Sequence, residues 1–282
     1  MGTSNWRPLR GIEPRRLSAA RLQAHYAVQW LARAARGYVP AQPDDSHTNL
    51  GWDDALDGFA THPMKNDVRL GLNIARLELV MLGGRSAPAF GLTGQTDAAA
   101  RRWLGERLAA IGLDAGRLDA PPPYAMPEHA VAAGAAYDAA AAADALTELA
   151  AWFANASHTL DGIRTAMSRR GFAASAVRCW PHHFDIATLA LLDASGADHA
   201  RSVNAGMSPG DASYDEPYFY VSPYPYPDAT KLPALPSLGH WHTQGFTAAV
   251  APASRILTAR EREAETEALL HAAIDGAVAA LG

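Results

Sequence analysis

Strand-like segments follow one another along residues 178–250 with no helical segment between them, and this order constrains the fold more than any other feature. The apolar pattern predicts four strands there, at residues 178–192, 200–205, 218–221 and 240–250. Parallel strands need a long crossover, usually a helix, whereas antiparallel strands can be joined by short turns. The order therefore predicts antiparallel sheets rather than a doubly wound fold.

Long amphipathic helices flank the predicted strands. Apolar residues repeat at helical spacing from Glu13 to Tyr38 and again from Leu146 to Met167. A shorter helix is predicted from Thr96 to Ile111, and a last one follows Thr258-Ala259-Arg260-Glu261, which has the pattern of a capping box. The sequence therefore predicts an α+β fold with mainly antiparallel sheets and long packing helices.

The first half of the chain contains a strand signal of its own. Between Val68 and Leu82 the apolar residues alternate as in a strand, but the alternation changes phase near Ala75 and Arg76. Such a change is produced either by a bulge or by a short break in the strand. We therefore expect sheet structure here, interrupted once.

The order of elements is similar in the two halves of the chain. Helix, strands and helix occur once in residues 1–130 and again in residues 145–282. At 282 residues, of which 49% are hydrophobic, the chain can bury a sizeable core. We expect a single integrated domain, residues 1–282, either as a two-fold helix–sheet–helix pseudo-repeat or with a coincidental similarity of order.

Composition argues against several classes of protein. The formal net charge is −5 and the Lys and Arg residues are scattered, which argues against a nucleic-acid surface. The single cysteine, Cys179, excludes a disulfide framework and fits a reducing compartment. No segment resembles a signal peptide or reaches the roughly eighteen apolar residues of a membrane helix. We therefore expect a cytoplasmic protein that binds neither nucleic acid nor membranes.

The segment from Trp180 to Asp185 places polar side chains in the apolar surroundings of a predicted strand. Because side chains alternate between the faces of a strand, His183 and Asp185 would share one face and Trp180 and His182 the other. Buried imidazoles and carboxylates need partners, since an unsatisfied buried polar group costs about 1–3 kcal/mol. The segment therefore marks a candidate site.

His240 and His242 are the best candidate partners, because a His-x-His pair on a strand sends both imidazoles to one face. Together with His183 and Asp185 they would provide three imidazoles and one carboxylate, a set that suits Zn²⁺ or non-haem Fe. The alternative is a metal-free polar cleft in which these side chains form hydrogen bonds and act as general acids and bases.

Two further segments add polar and aromatic side chains. Residues 42–52 form a polar loop, which is either a simple turn or a source of one histidine and one carboxylate for a cleft. Residues 208–226 contain five tyrosines and three acidic residues, which suit either the wall of a pocket for a small polar or cationic ligand or a rigid loop. The predicted catalytic residues are His183, Asp185, His47 and Glu216, and the predicted ligand contacts are Asp45, Trp180, His182, Asp211, Tyr218, Tyr220 and Trp241.

Four motifs resemble those of a family of uncharacterised bacterial proteins. They are WPHHFD at residues 180–185, PDDSHTNLGW at 43–52, SPGD at 208–211 and HWHT at 240–243. The resemblance covers most of the chain and implies a soluble bacterial protein. No activity is assigned to that family, so the resemblance gives no residue a catalytic role.

These residues predict an enzyme that acts on a small molecule in a pocket rich in His, Asp and Tyr. The chemistry would be either metal-dependent, with Zn or Fe, or acid–base chemistry without a metal. The alternative is a protein that only binds a ligand in this pocket, or that binds a partner chain through its Tyr- and Pro-rich surface.

Overall fold

The computed structural model describes residues 4–83, 88–193 and 200–282. The helices in these residues are α1 (Pro14–Tyr38), α2 (Asp97–Ala110), α3 (Ala143–Arg169), α4 (Ala253–Ile256) and α5 (Arg262–Leu281). The strands are β1 (Gly51–Asp53), β2 (Gly58–Ala60), β3 (Arg69–Asn73), β4 (Glu78–Leu82), β5 (Phe90–Gly91), β6 (Ala173–Ala174), β7 (Arg178–Trp180), β8 (Asp185–Leu191), β9 (Ser202–Ser208), β10 (Tyr218–Tyr224), β11 (His240–His242) and β12 (Ala248–Pro252). The strands form two antiparallel sheets, so the predicted α+β fold is confirmed. Within the described ranges, no helix combines the length and apolar character needed to span a bilayer.

The chain divides into two compact units. Unit 1 consists of Met1–Gly11, Ala151–Arg178 and Asp185–Gly282, and unit 2 consists of Ile12–Ala150 and Cys179–Phe184. Each unit is therefore assembled from segments that are separated in the sequence. The two predicted halves follow the chain instead, and the two-fold pseudo-repeat is not confirmed.

Unit 2 is built on a five-stranded meander in the order β1-β2-β3-β4-β5, with α1 packed against β3. The predicted break near Ala75 and Arg76 is a tight turn between β3 and β4. The residue before β4, Leu77, has a positive φ of 46°. The two strands then pair antiparallel, with Asn73 opposite Glu78. The change of phase in the sequence is therefore a chain reversal.

The longest predicted strand is wrong as one continuous strand. It forms β7 and β8, which are separated by a turn in which the N–H groups of His183 and Phe184 donate to the carbonyl of Trp180 at 3.2 and 2.7 Å. Pro181 has no N–H for a strand ladder and its fixed φ favours the second position of a turn. Phe184 completes the reversal with a φ of 60°. The alternation expected for His183 and Asp185 therefore does not apply.

Two buried polar side chains of α1 hold this turn. The Nε2 groups of His25 and Gln29 both donate to the carbonyl of Pro181 at 2.9 Å. The ring of His25 also stacks on Phe184, with centroids 5.3 Å apart. Burial lowers the pKa of His25 to about 4, although its hydrogen bond to Pro181 opposes the shift. His25 is therefore neutral at pH 7 and donates from Nε2.

Unit 1 contains a run of six antiparallel strands in the order β11-β12-β10-β9-β8-β6. The strand predicted at 240–250 is wrong as a single strand, because its residues form β11 and β12, which pair with each other. Gly245 lies in the connecting turn with a φ of 83°, a conformation that favours glycine. The reversal places His240 directly opposite Val250.

One face of this sheet packs on α5, which contacts β9, β10 and β12. Gly276 of α5 lies close to Trp241, since a Cβ at position 276 would stand 3.7 Å from the indole ring. Side chains alternate between the faces of a strand, and the register aligns His240, Val250 and Tyr220 in one row. His240, Tyr218 and Tyr220 therefore lie on the face opposite α5.

The predicted helices correspond closely to α1, α2 and α3, but the last helix begins later than predicted. Its first residue is Arg262. The hydroxyl of Thr258 donates to the carbonyl of Arg255 and so closes α4 instead. The capping contact is made by Glu265, whose carboxylate accepts from the N–H of Glu261 at 2.9 Å. The N-cap residue is therefore Glu261, about one turn beyond the predicted N-cap residue Thr258.

We predict that acidification from pH 6.5 to pH 4 destabilises the protein through His25. Its ordinary pKa is 6.5, so in this range the unfolded chain takes up a proton that the folded state does not bind. The stabilisation is complete above pH 6.5 and is lost as the pH falls through about 4. One pKa unit corresponds to about 1.4 kcal/mol, so the loss is about 3 kcal/mol.

Urea unfolding between pH 7 and pH 4 measures this effect. The His25→Gln variant keeps an amide donor for Pro181 but cannot titrate, so its stability should fall less steeply than that of the wild type. Parallel curves for the two proteins would show that His25 does not cause the acid sensitivity.

Candidate functional site

Unit 2 contains a cleft of about 370 Å³, which we name the Trp180 cleft. It lies where the end of α1, the polar loop before β1 and the turn after β7 meet. Two of the sequence motifs, separated by more than a hundred residues, therefore contribute to one recess. The lining residues that bear on function are Arg36, Asp44, Asp45, Tyr124, Trp180 and His182.

Aromatic rings form one wall of the Trp180 cleft. The His182 ring centroid lies 5.7 Å from that of Tyr124 and 6.0 Å from that of Trp180. The hydroxyl of Tyr124 donates to Oε1 of Gln29 at 2.8 Å. Because Gln29 also donates to the carbonyl of Pro181, a single side chain of α1 positions both Tyr124 and the turn that carries Trp180 and His182.

The Trp180 cleft contains unpaired charges of both signs. Arg36 lies in the last turn of α1, and its Nη2 is buried without a hydrogen-bond partner in the described ranges. The carboxylate of Asp45 likewise has no hydrogen bond or ion pair in that part of the chain. Asp45 adopts a φ of 57°, a left-handed conformation that Asp and Asn tolerate better than most residues. Arg36 also interacts with the hydroxyl of Tyr124, and Asp45 is exposed to solvent. The cleft thus presents a guanidinium with one unsatisfied nitrogen and a solvated carboxylate.

The environment of His182 favours the neutral form of its imidazole. Burial lowers the pKa of His182, and the neighbouring His183 lowers it further. The two rings lie 4.2 Å apart, so His183 supports the wall of the cleft through His182. At pH 7 His182 therefore keeps a free lone pair, which is what a general base requires.

A second group of predicted residues lies in unit 1, on the sheet face opposite α5, which we name the Tyr220 face. The hydroxyl of Tyr220 on β10 donates to Oδ2 of Asp185 on β8 at 2.5 Å, across the intervening strand β9. Gly206 occupies β9 between them, and a Cβ there would lie 2.5 Å from the Tyr220 hydroxyl. The contact therefore depends on the absence of a side chain at position 206.

Both histidines of the HWHT motif belong to a hydrogen-bonded chain on the Tyr220 face. Nε2 of His242 lies 2.7 Å from the carbonyl of Gln244, which can only accept, so in the neutral ring Nδ1 is the acceptor. The hydroxyl of Tyr214 then donates to Nδ1 of His242 at 3.0 Å and accepts from Nε2 of His240 at 3.0 Å. Nδ1 of His240 remains a buried acceptor without a partner in the described ranges.

The tyrosines of the Tyr220 face are hydrogen-bond donors. Tyr218 donates to Oδ2 of Asp211 at 2.6 Å. Burial and the adjacent carboxylate of Asp211 raise the pKa of Tyr218, and burial followed by the charge of Asp185 raises the pKa of Tyr220. Both phenols therefore stay protonated at pH 7 and do not act as bases.

The structure gives no support to the predicted metal site. Among the residues that the structure describes, no group of three or more His, Cys, Asp or Glu side chains is placed to hold a metal ion. The imidazoles of His240 and His242 are joined through the Tyr214 hydroxyl instead. A Zn or Fe site formed by His183, Asp185, His240 and His242 therefore stays a prediction.

Three predicted residues have local structural partners. Glu216 accepts from the N–H and the hydroxyl of Ser254, at 2.6 and 3.0 Å, at the start of α4. Trp241 donates to a backbone carbonyl on the α5 side of the sheet. His47 is buried and its Nδ1 accepts from a backbone N–H at 3.2 Å. These contacts hold loops and a helix end in place.

Sequence reasoning missed Arg36, Tyr124 and Tyr214. Arg36 lies at the end of a helix that was recognised from its apolar stripe, and nothing in that stripe distinguishes one arginine from another. Tyr124 follows the rigid proline run at 121–123, which was the one available signal, because such a connector fixes the direction of the next side chain. Nothing in the sequence distinguishes Tyr214 from the other four tyrosines of its loop.

Comparisons of the chain with models of protein families, with curated proteins and with solved structures found no match. They leave the resemblance suggested by the four motifs untested. The two sites are therefore interpreted from their own geometry.

We predict that Tyr220→Phe destabilises the protein by about 1–3 kcal/mol at pH 7, because it removes a donor from a partly buried carboxylate. The neutral phenol of Tyr220 contributes stability below its ordinary pKa of 10.0, and this contribution is lost as the pH rises above that value. Stability of the variant should therefore fall less steeply than that of the wild type between pH 9 and pH 11.

Urea unfolding at neutral and alkaline pH tests both effects. Tyr224→Phe is the matched control, because Tyr224 ends the same strand but is 52% exposed. The explanation is wrong if the two variants are equally stable at pH 7 and show the same alkaline dependence.

Proposed function

We propose that the Trp180 cleft binds a small organic molecule and that Arg36 binds its anionic group. The observation that carries this proposal is Arg36 itself, a residue of the cleft wall whose buried Nη2 has no hydrogen-bond partner in the described ranges. An unsatisfied buried donor costs about 1–3 kcal/mol. An oxygen of a carboxylate or phosphate would satisfy it through a charge-assisted hydrogen bond, to which the planar guanidinium is well matched.

The dimensions and walls of the Trp180 cleft agree with a small ligand. Its volume of about 370 Å³ lies near the lower end of the usual range of ligand pockets, roughly 300–1,000 Å³. The rings of Tyr124, Trp180 and His182 supply apolar surface, and a few polar groups supply specificity. This combination is typical of sites for small organic ligands.

A purely structural role for Arg36 makes a different prediction. A cation in the last turn of a helix interacts favourably with the helix dipole, and Lys would serve as well as Arg there. That role does not require Arg36 to line a cleft. Stability and ligand affinity should therefore respond differently to substitution if the proposal is right.

We predict that Arg36→Gln lowers the affinity for simple aromatic carboxylates at least tenfold, because it removes a charge-assisted hydrogen bond of about 1.5–3 kcal/mol. Isothermal titration with 4-methylbenzoate and with 3-phenylpropionate measures the change. Arg15→Gln provides the control, since Arg15 is exposed in the first turn of the same helix.

Two results would contradict this function. One is equal affinity of the wild type and Arg36→Gln for either carboxylate. The other is the absence of binding of both carboxylates to the wild type at millimolar concentrations, together with no stabilisation by inorganic phosphate in thermal melts.

The lowered pKa of His182 favours a second function, acid–base catalysis on the bound molecule. This is the metal-free form of the enzyme expected from the sequence. Here His182 would accept a proton from the ligand, while Arg36 would hold its anionic group. The Trp180 cleft would then both bind the substrate and catalyse its conversion.

We predict that His182→Gln abolishes conversion of a bound substrate but changes its affinity less than about threefold, since the imidazole contributes to proton transfer rather than to anion binding. Activity of the wild type should fall at acid pH with a midpoint below 6.5, because protonation removes the lone pair and the pKa of His182 is lowered. Product analysis by mass spectrometry across pH 4–8 measures both. Unchanged turnover in the variant would restrict the cleft to binding.

A further inference from the structure

Asp45 occupies a position where an aspartate side chain normally forms a hydrogen bond within its own turn. It precedes the 3₁₀ turn Ser46–Thr48 as its N-cap residue, and a carboxylate there usually accepts from an N–H of the first turn. The side chain of Asp45 makes no such bond. Its backbone carbonyl accepts from the N–H of Thr48 at 2.9 Å instead.

The neighbouring Asp44 supplies the side-chain acceptor of this turn. Its Oδ1 accepts from the N–H of Ser46 at 3.1 Å, so this donor is satisfied without the carboxylate of Asp45. The carboxylate of Asp45 lies at the wall of the Trp180 cleft and has no hydrogen bond or ion pair in the described part of the chain. The loop therefore does not need this carboxylate for its own stability.

Arg36 and Asp45 line the same cleft without pairing with each other. Nη2 of Arg36 also has no partner among the described residues. Two opposite charges that remain separate in one recess leave each available to a group of a third molecule. A ligand with only an anionic group would satisfy Arg36 but would share the cleft with the negative charge of Asp45, which repels it.

We propose that the ligand of the Trp180 cleft is a zwitterion, an amine-bearing acid whose anionic group binds Arg36 and whose ammonium group binds Asp45. This inference rests on the proposed function of the cleft. The aromatic wall supports it, because the faces of Trp180 and Tyr124 attract a cation as well as an apolar body. The volume of about 370 Å³ suits an amino acid or a molecule of similar size.

Matched ligands test the charge requirement. 4-(Aminomethyl)benzoate carries both charges, 4-methylbenzoate carries the anion alone and benzylamine carries the cation alone. L-phenylalanine, 3-phenylpropionate and phenethylamine repeat the comparison with the two charges closer together. Isothermal titration of the wild-type protein should show that at least one zwitterion binds tenfold or more tightly than both of its singly charged analogues.

Asp45→Asn tests the residue. Asn has nearly the shape of Asp and tolerates the left-handed backbone, so the fold should be kept. The variant should lose the tenfold preference for the zwitterion and bind the matching carboxylate at least as tightly as the wild type does. Asp67→Asn is the control, because Asp67 is exposed, has a φ of 57° and does not line the cleft.

The possible outcomes separate the two proposals. If carboxylates bind through Arg36 but neither zwitterion is preferred, the zwitterion proposal is overturned and the proposed function stands. If a cation alone binds as tightly as its zwitterion, the zwitterion proposal is also overturned. If no ligand binds, the proposed function itself fails. If Asp45→Asn is less stable to heat than the wild type, the binding of zwitterions and of singly charged analogues to the wild type still tests the zwitterion proposal.

Discussion

The carbonyl of Pro181 is the acceptor on which the arrangement of unit 2 depends. His25 and Gln29 bring polar groups into the buried side of α1, and buried donors of this kind are almost always satisfied. One carbonyl satisfies both, and it lies in the turn between β7 and β8. Because Gln29 also accepts from Tyr124, the same helix fixes the aromatic wall of the Trp180 cleft. The helix α1 is recognisable in the sequence from its apolar face. Two polar residues on its buried side, His25 and Gln29, position the candidate site.

Periodicity predicted the helices and the antiparallel character of the sheets, because long segments with one buried face leave a clear pattern. It failed where the chain reverses within an apolar run. Residues 178–192 and 240–250 each contain two strands rather than one. Pro181 and Gly245, which lie in the reversals, are typical turn residues and can be recognised in the sequence. The positive φ of Phe184 cannot be predicted from the sequence, because bulky residues rarely adopt this conformation.

The candidate site was accessible to sequence reasoning only in part. Asp45, Trp180 and His182 were selected from their motifs, and the structure places them at the wall of one cleft. Arg36 could not be selected, because its importance depends on where the end of a helix lies with respect to a distant turn. Asp185 was expected to meet histidines, but its contact with a phenol is set by strand register across β9, which a local pattern does not encode.

Gly206 is the position over which the phenol of Tyr220 and the carboxylate of Asp185 meet. A Cβ there would stand 2.5 Å from the Tyr220 hydroxyl and 2.8 Å from the carbonyl of Ile186, so even a methyl group has no room. The absence of a side chain at position 206 is thus a condition for the contact between Tyr220 and Asp185. A residue with a side chain at position 206 would therefore have to push the phenol and the carboxylate apart.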